Sequence, residues 1–161
     1  MIEGVFLLTG SNLGDLEANL ATAATHIERQ CGMIVQRSSL YQTAAWGKED
    51  QSDFLNQVLQ IKTSHTTESL LTQVLAIEQS MGRVRKEKWG ERLIDIDILY
   101  VNQNIINTPQ LQVPHPGIAS RRFVLEPLTE IAPDFIHPVL LKSNKALLAN
   151  CADPLVVKRL I

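Results

Sequence analysis

Five residues near the middle of the chain, Ile94-Asp95-Ile96-Asp97-Ile98, alternate strictly between a β-branched apolar side chain and a carboxylate. A period of two predicts a strand, because successive side chains of a strand point to opposite faces. The isoleucines then face an apolar core, while Asp95 and Asp97 together face the other way. Their Cβ atoms are expected to lie roughly 6–7 Å apart, since a strand rises about 3.3 Å per residue.

Two carboxylates at this spacing repel each other, and a hard divalent cation relieves the repulsion. Mg²⁺ accepts carboxylate oxygens and keeps room for phosphate oxygens. The alternative is a solvent-facing strand that uses aspartate only for solubility. Aspartate is a poor strand former, so two of them in mid-strand favour a metal site at Asp95 and Asp97 over that alternative.

The pattern of the whole chain places this strand in a recognisable order of elements. Apolar runs predict strands over residues 5–9, 33–41, 54–63 and 94–101. Helical stripes predict one helix over residues 15–31, capped by Asp15, and a second that Thr66 or Thr67 caps and Gly82 ends. The order β-α-β-β-α-β is typical of a ferredoxin-like α+β fold, in which two helices cover one face of an antiparallel sheet.

Beyond residue 101 the sequence predicts a C-terminal extension appended to this fold. It comprises a turn at Asn102-Gln103, a short strand over 104–106 and helices near 121–128 and 143–150. The 161 residues, 45% of them hydrophobic, predict one domain over residues 1–161. No internal repeat divides it.

Charge and the N-terminus exclude several classes of protein. The net charge of −2 argues against a general binder of nucleic acid or acidic membranes, which would need an excess of Lys and Arg. The first apolar run has no basic region before it and is too short for a signal peptide or a membrane span, so a cytoplasmic protein is expected. Cys31 and Cys151 form no CxxC pair and predict no metal framework.

Cations cluster directly before the acidic strand: Arg83, Arg85, Lys86, Lys88 and Arg92. Such a run is usually a solvated surface. Its clustering in a slightly acidic chain, next to the predicted metal site, favours contact with a polyphosphate whose charge these cations neutralise. Trp89 either stacks on a heterocycle or packs within the protein. Glu78 either reaches an arginine of this segment or lies at the surface.

Several nucleotide-binding motifs are absent. The sequence contains neither the G-x-x-x-x-G-K-[ST] phosphate loop nor G-x-G-x-x-G, and it lacks protein-kinase motifs. The four histidines form no zinc pattern, and His115, between two prolines, is the one expected to have a function. The residues alone therefore indicate metal-dependent phosphoryl chemistry.

The segment from Gly82 to Leu99 resembles the signature of the 6-hydroxymethyl-7,8-dihydropterin pyrophosphokinases. Segments 8–14, 41–43, 54–56, 113–116 and 121–128 are similar to other parts of that family. Together they cover about residues 5–133 in the family's order, and the tail after about 134 matches weakly. The resemblance implies a ferredoxin-like monomer that moves diphosphate from ATP to the pterin hydroxymethyl group and releases AMP.

The resemblance also implies roles for individual residues. Four would be catalytic: Arg83, Arg92, Asp95 and Asp97, the two aspartates binding two Mg²⁺ ions. The ATP-binding residues would be Glu78, Arg83, Arg85, Trp89, Arg92, Ile98, His115 and Arg121. The pterin-binding residues would be Thr43, Ala44, Trp46, Phe54, Asn56, Trp89, Asp95 and Phe123, with the two phenylalanines on opposite sides of the ring.

The sequence departs from the family pattern at a few positions. Ala45 stands where many members have proline, Lys88 and Glu91 where many have arginine and proline, and Gln110 where a basic residue is frequent. These differences concern loop rigidity and ATP affinity rather than the reaction.

Two other functions fit part of the pattern. One is another metal-dependent phosphoryl enzyme, such as a nucleotidyl transferase that uses Asp95 and Asp97. The other is a non-enzymatic binding module on the same fold. RNA-binding sheets usually expose aromatic side chains, however, and aromatic residues make up only 5% of this chain.

Overall fold

The chain forms an antiparallel sheet with helices on both faces. The computed structural model describes residues 2–44, 52–82 and 93–160. Within these ranges the elements are β1 Ile2–Ser11, α1 Leu16–Gln30, β2 Met33–Arg37, β3 Tyr41–Thr43, β4 Phe54–Thr63, α2 Thr67–Ser80, β5 Asp95–Val101, β6 Ile106–Asn107, β7 Gln112–Val113, α3 Arg122–Ile131, α4 Asn144–Ala149 and β8 Val157–Arg159.

The sheet has the ferredoxin-like topology that the sequence predicted. Its strands lie in the order β5-β1-β4-β3-β8, and β2 also pairs with β4. Strands β6 and β7 form a separate hairpin. Among the described residues, strand β5, which carries the alternating acids, therefore lies at one edge of the sheet, next to β1.

The helix boundaries follow local signals in the sequence. Asp15 caps α1 by accepting a hydrogen bond from the Ala18 backbone N–H at 3.2 Å. Thr66, rather than Thr67, caps α2 by accepting from the Ser69 N–H at 3.1 Å. Both caps satisfy N–H groups that have no partner within the first turn of a helix.

Two apolar cores lie on opposite faces of the sheet. Alternate residues of β1 separate between them: Val5 and Leu7 face α1 and α2, while Phe6 and Leu8 face α3 and α4. A strand buried on both faces explains why the first apolar run is continuous rather than alternating. The predicted extension is therefore an integral layer that covers the second face, not an appendage.

The predicted strand over 33–41 is wrong as a single element, because Ser38 interrupts it. The Ser38 hydroxyl accepts a hydrogen bond from the Val58 N–H at 2.9 Å, and the Ser38 N–H donates to the Val58 carbonyl at 2.9 Å. The side chain thus takes one place in the ladder with β4, and the chain divides into β2 and β3.

The extension also differs from the prediction in two places. The short strand is Ile106–Asn107 rather than 104–106, because the Asn104 N–H turns back to the Val101 carbonyl at 3.0 Å. Strand β8, which was not predicted, pairs with β3 through Tyr41↔Arg159 and Thr43↔Val157.

Candidate active site

A cavity of about 830 Å³ opens around the edge strand β5 and over one end of the sheet. Every predicted site residue that the structure describes lines it: Thr43, Ala44, Phe54, Asn56, Glu78, Asp95, Asp97, Ile98, His115, Arg121 and Phe123. The predicted residues Trp46, Arg83, Arg85, Trp89 and Arg92 lie outside the described residues. The structure thus brings together side chains that are up to 80 positions apart in the sequence.

The acidic pair occupies the face that the alternation predicted. Ile94, Ile96 and Ile98 are at most 5% exposed and belong to the core beneath α1 and α2. Asp95 and Asp97 are half-buried, alternate with them and both line the cavity. The prediction of a shared acidic face is confirmed.

The chemistry of this pair fits Mg²⁺. Both groups offer hard carboxylate oxygens, which this ion prefers. Among the described residues, no three or more Asp, Glu, His or Cys side chains are grouped so that they could hold an ion. A cation held by two carboxylates keeps further positions for water and phosphate oxygens, as Mg²⁺ does when it binds a nucleotide.

A row of cross-strand neighbours joins the acidic pair to the opposite wall of the cavity. Gly10 on β1 pairs with Asp95 on one side and with Asn56 on the other. Adjacent strands lie about 4.8 Å apart, so Asp95 and Asn56 start from backbones about 10 Å apart. One small flat ligand could therefore reach both the Asp95 carboxylate and the Asn56 amide.

The Asn56 amide is oriented by the protein and presents an acceptor. Asn56 is 4% exposed, and its Nδ2 donates to the Thr9 carbonyl at 3.2 Å. Its Oδ1 has no hydrogen-bond partner among the described residues, and neither does the Thr43 Oγ1 on the neighbouring strand. Unsatisfied buried polar atoms are rare, so two in one cavity wall indicate that a ligand completes them.

Gly10 is required for this orientation. A Cβ at Gly10 would lie 2.4 Å from the Asn56 Nδ2, far inside contact distance. We expect Gly10→Ala to displace the Asn56 amide and to weaken binding of its ligand about tenfold, because an oriented hydrogen bond is lost. Calorimetric titration with 6-hydroxymethyl-7,8-dihydropterin, the substrate that the resemblance implies, measures the effect.

A matched control exists on the same strand. A Cβ at Gly4 would lie 2.5 Å from the Asn102 Oδ1, far from the cavity. Gly4→Ala should therefore lower stability to a similar degree and leave ligand affinity unchanged. Equal affinities in the two variants would contradict the role given to Gly10.

His115 is placed as a neutral hydrogen-bond donor. Its backbone N–H donates to the Leu99 carbonyl at 2.9 Å, and its Nδ1 accepts from the Gly117 N–H at 2.9 Å. The ring proton therefore resides on Nε2. Burial, and then the positive charge of Arg121, lower the pKa of His115 from 6.5 to about 4. The imidazole is neutral at pH 7 and can donate Nε2–H to a ligand oxygen.

The lowered pKa of His115 predicts a loss of stability in mild acid. Between about pH 6.5 and pH 4 the unfolded chain binds a proton that the folded chain does not, so the free energy of unfolding falls as the pH falls. The loss attributable to His115 is about 2 kcal/mol after allowance for partial solvent screening. The free energy of unfolding, measured with urea at pH 7.5 and pH 4.5, should differ less between the two pH values in His115→Asn than in the native chain.

His26→Asn is the control and should show the same pH difference as the native chain. An unchanged pH difference in His115→Asn would contradict the prediction.

Glu78 on α2 is buried rather than at the surface, so that alternative is wrong. The side chain is 5% exposed, and its Oε2 accepts a hydrogen bond from the Ile96 N–H at 2.8 Å. Ile96 lies on the edge strand, and this contact satisfies a backbone donor on its outer side. Glu78 thereby attaches β5 to α2 where the cavity passes around the sheet edge.

Some lining residues were missed in the sequence. Leu71, Val74 and Leu75 of α2 form an apolar wall, although the helical stripe assigned such residues to the core. The turn between β6 and β7, residues 108–111, closes the cavity on another side. Leu75 is 51% exposed. Exposure cannot be read from a helical pattern, so the sequence held no signal for this wall.

Strand β3, which carries Thr43, is anchored by a polar cluster outside the cavity. The Glu130 carboxylate accepts hydrogen bonds from the Ser39 N–H at 2.9 Å and from the Tyr41 hydroxyl at 2.8 Å. It also lies 3.3 Å from the Arg159 guanidinium. Burial raises the pKa of Glu130, but these hydrogen bonds and the arginine outweigh it and hold that pKa below its usual range.

Comparison with known proteins points in one direction. The sequence model of the 7,8-dihydro-6-hydroxymethylpterin-pyrophosphokinase family matches residues 6–133. The chain is 42% identical over 141 residues to a 2-amino-4-hydroxy-6-hydroxymethyldihydropteridine pyrophosphokinase of Aquifex aeolicus, covering 88% of each. It is 44% identical over 132 residues to the enzyme of that name from Methylorubrum extorquens, covering 81% of this chain and 84% of that one.

A solved structure shares the fold at low sequence identity. Wild-type HPPK-DHPS of Plasmodium falciparum superimposes with a TM-score of 0.72 at 19% identity. The match covers 90% of this chain and 43% of that one, so the chain spans less than half of that protein. At this identity the likeness supports the ferredoxin-like topology alone.

Proposed function

Since this chain belongs to the 7,8-dihydro-6-hydroxymethylpterin-pyrophosphokinase family, we propose that the cavity beside Asp95 and Asp97 is where it performs that family's reaction. The enzyme transfers a diphosphoryl group from ATP to the hydroxymethyl group of 6-hydroxymethyl-7,8-dihydropterin, a step of folate biosynthesis. The pterin oxygen bonds to the β-phosphorus and the bond from that phosphorus to the α-phosphate oxygen breaks. The hydroxyl proton is lost, and AMP leaves.

The observation that carries the site assignment is the pair of complementary ends in one cavity. At one end the Asn56 Oδ1 and the Thr43 Oγ1 are polar atoms that lack partners among the described residues. A pterin edge carries N–H donors that fit such acceptors. Phe54 and Phe123, both half-buried in the cavity lining, offer faces for the flat ring.

The other end of the cavity suits a nucleotide polyphosphate. His115 offers a neutral N–H donor, and Arg121 offers a guanidinium that can bind phosphate oxygens in a bidentate manner. Glu78 holds the edge of β5 in place through its hydrogen bond to the Ile96 N–H. Ile98, also on β5, lines the cavity. From the resemblance alone, we propose that Arg83, Arg85, Trp89 and Arg92 bind ATP and that Trp46 and Trp89 bind the pterin.

Asp95 and Asp97 would hold Mg²⁺ between the two ends. An ion bound there would supply positive charge that offsets the negative charge of the phosphate oxygens. We propose two such ions, the number that the resemblance to the family implies. The protein's own contribution is to place Asp95 next to the pterin end through its pairing with Gly10.

Product analysis tests this function directly. ATP and Mg²⁺ are incubated with the enzyme in the presence and in the absence of the reduced pterin, and nucleotides are separated by chromatography. We expect AMP to appear only with the pterin, and chelation of Mg²⁺ to stop its formation. ADP as product, or free pyrophosphate without the pterin, would instead favour another phosphoryl enzyme. No turnover of any nucleotide would favour a binding module.

The working form of the enzyme is proposed to be a cytoplasmic monomer that acts on small molecules. In the part of the chain that the structure describes, no helix has the length and apolar character needed to cross a bilayer. Light scattering at working concentration tests the monomer: a mass near 18.0 kDa is expected, and twice that value would contradict it.

A further inference from the structure

Helix α3 begins at the cavity without a cap of its own. Its first residue is Arg122, and the N-cap residue Arg121 makes no side-chain capping hydrogen bond. The first turn contains no acidic residue. The first N–H groups of a helix have no partner within it, and the N-terminus carries a partial positive charge. Both features call for an acceptor supplied from elsewhere.

That acceptor is Asp153, 31 residues further along the chain. One carboxylate oxygen, Oδ2, accepts a hydrogen bond from the Arg122 N–H at 3.0 Å. The other, Oδ1, accepts from the Leu155 N–H at 3.0 Å and so ties the carboxylate to its own segment. Asp153 is 7% exposed. A buried carboxylate at this place caps the helix from outside and offsets its dipole.

The Arg122 side chain forms a second link between the start of α3 and residues 151–153. Its Nε donates to the Asp153 carbonyl at 3.2 Å, and its Nη2 donates to the Cys151 carbonyl at 2.9 Å. The backbone and the guanidinium of Arg122 thus both form hydrogen bonds with the segment 151–153. Three hydrogen bonds fix this residue, and a partly exposed ion pair with Glu126 at 3.7 Å adds little.

The fixed residue stands between two residues of the site. Arg121 and Phe123 flank Arg122 and both line the cavity, whereas Asp153 does not. The Arg121 side chain also packs closely over Gly117, where a Cβ would lie 3.0 Å from its Cζ. A shift at Arg122 would therefore move a phosphate-binding group and a ring-stacking group together.

We infer that Asp153 is a positioning residue of the diphosphoryl transfer. By capping α3 from a distant part of the chain, it orients Arg121 for contact with ATP and Phe123 for contact with the pterin. This inference rests on the function proposed above. It assigns a role to the C-terminal layer beyond the covering of an apolar face. A merely structural Asp153 would affect unfolding and leave both substrate affinities unchanged.

The test measures dissociation constants for the reduced pterin and for α,β-methylene-ATP with Mg²⁺ by calorimetry. We expect Asp153→Ala to raise both constants about fivefold, the effect of losing one helix cap. Asp153→Asn retains one acceptor oxygen for the Arg122 N–H but cannot also accept from the Leu155 N–H, so its constants should lie between those of the native chain and of Asp153→Ala. Asp134→Ala, an exposed aspartate on the same layer, should change neither constant.

Two further measurements separate this inference from general instability and from the proposed function. Ile27→Val, in the core on the other face, lowers the melting temperature without touching α3. If it raises the two constants as Asp153→Ala does, or if Asp153→Ala changes neither, the inference is overturned. If the native chain binds neither ligand and forms no AMP, the proposed function itself has failed. Native activity with unchanged affinities in Asp153→Ala overturns the positioning role alone.

Discussion

Asp97→Asn is expected to reduce turnover roughly 1,000-fold or more, because the amide removes one of the two negative charges that we propose hold the catalytic cation. The substitution keeps the shape of the side chain, and Asp97 is half-buried at the cavity rather than in a core. The fold should therefore persist. AMP release at saturating ATP, pterin and Mg²⁺ measures the loss, and urea unfolding measures stability.

The stability of this variant carries a second expectation. Because the side chain keeps its shape at a half-buried position of the cavity, the urea midpoint should change little. Asp134→Asn, an exposed aspartate outside the cavity, provides the matched control and should retain full activity. Turnover of Asp97→Asn within tenfold of the native rate would rule out the role assigned to this carboxylate.

Asn56→Ala is expected to weaken pterin binding roughly 100-fold, which corresponds to about 2–3 kcal/mol for a lost buried hydrogen-bonding group. The variant loses the Oδ1 that we propose accepts a hydrogen bond from the pterin, and it leaves the Thr9 carbonyl without the amide that now donates to it. Affinity for the ATP analogue should change little, because Asn56 is not among the residues proposed to bind ATP. Calorimetric titration with each ligand separates the two effects.

Gln57 offers a control from the same strand. Its Nε2 donates to the Ser38 carbonyl at 2.9 Å, and it does not line the cavity. Gln57→Ala therefore removes a comparable amide and a comparable hydrogen bond. It should reduce stability while preserving pterin affinity. Similar pterin affinities in the two alanine variants would disprove the recognition role of Asn56.

Most local features of the fold could be predicted because their causes are local. The caps Asp15 and Thr66 lie within a few residues of the N–H groups that they satisfy. The alternation around Asp95 and Asp97 follows from the geometry of a single strand. The resemblance to the family gave roles to His115, Arg121 and Asn56, which lie in segments outside the 82–99 signature and which no spacing could have joined.

The sequence analysis missed features of the fold that depend on partners distant in the chain, or predicted them only in part. The break at Ser38 requires Val58 on β4, and β8 forms only along the edge that β3 provides. The capping of α3 by Asp153 joins positions 31 apart. No pattern within a short window contains this information, since each hydrogen bond exists only after the sheet has assembled.

The sequence by itself determined the order of the first elements, the shared face of the two acids and the class of chemistry. These follow from periodicity, caps and the preference of paired carboxylates for a hard cation. Only the tertiary structure decided which ends of the strands meet, how the Asn56 amide is turned and what holds the start of α3. The reason is physical: burial and long-range hydrogen bonds assign partners to polar atoms, and these interactions form only when distant segments of the chain come together.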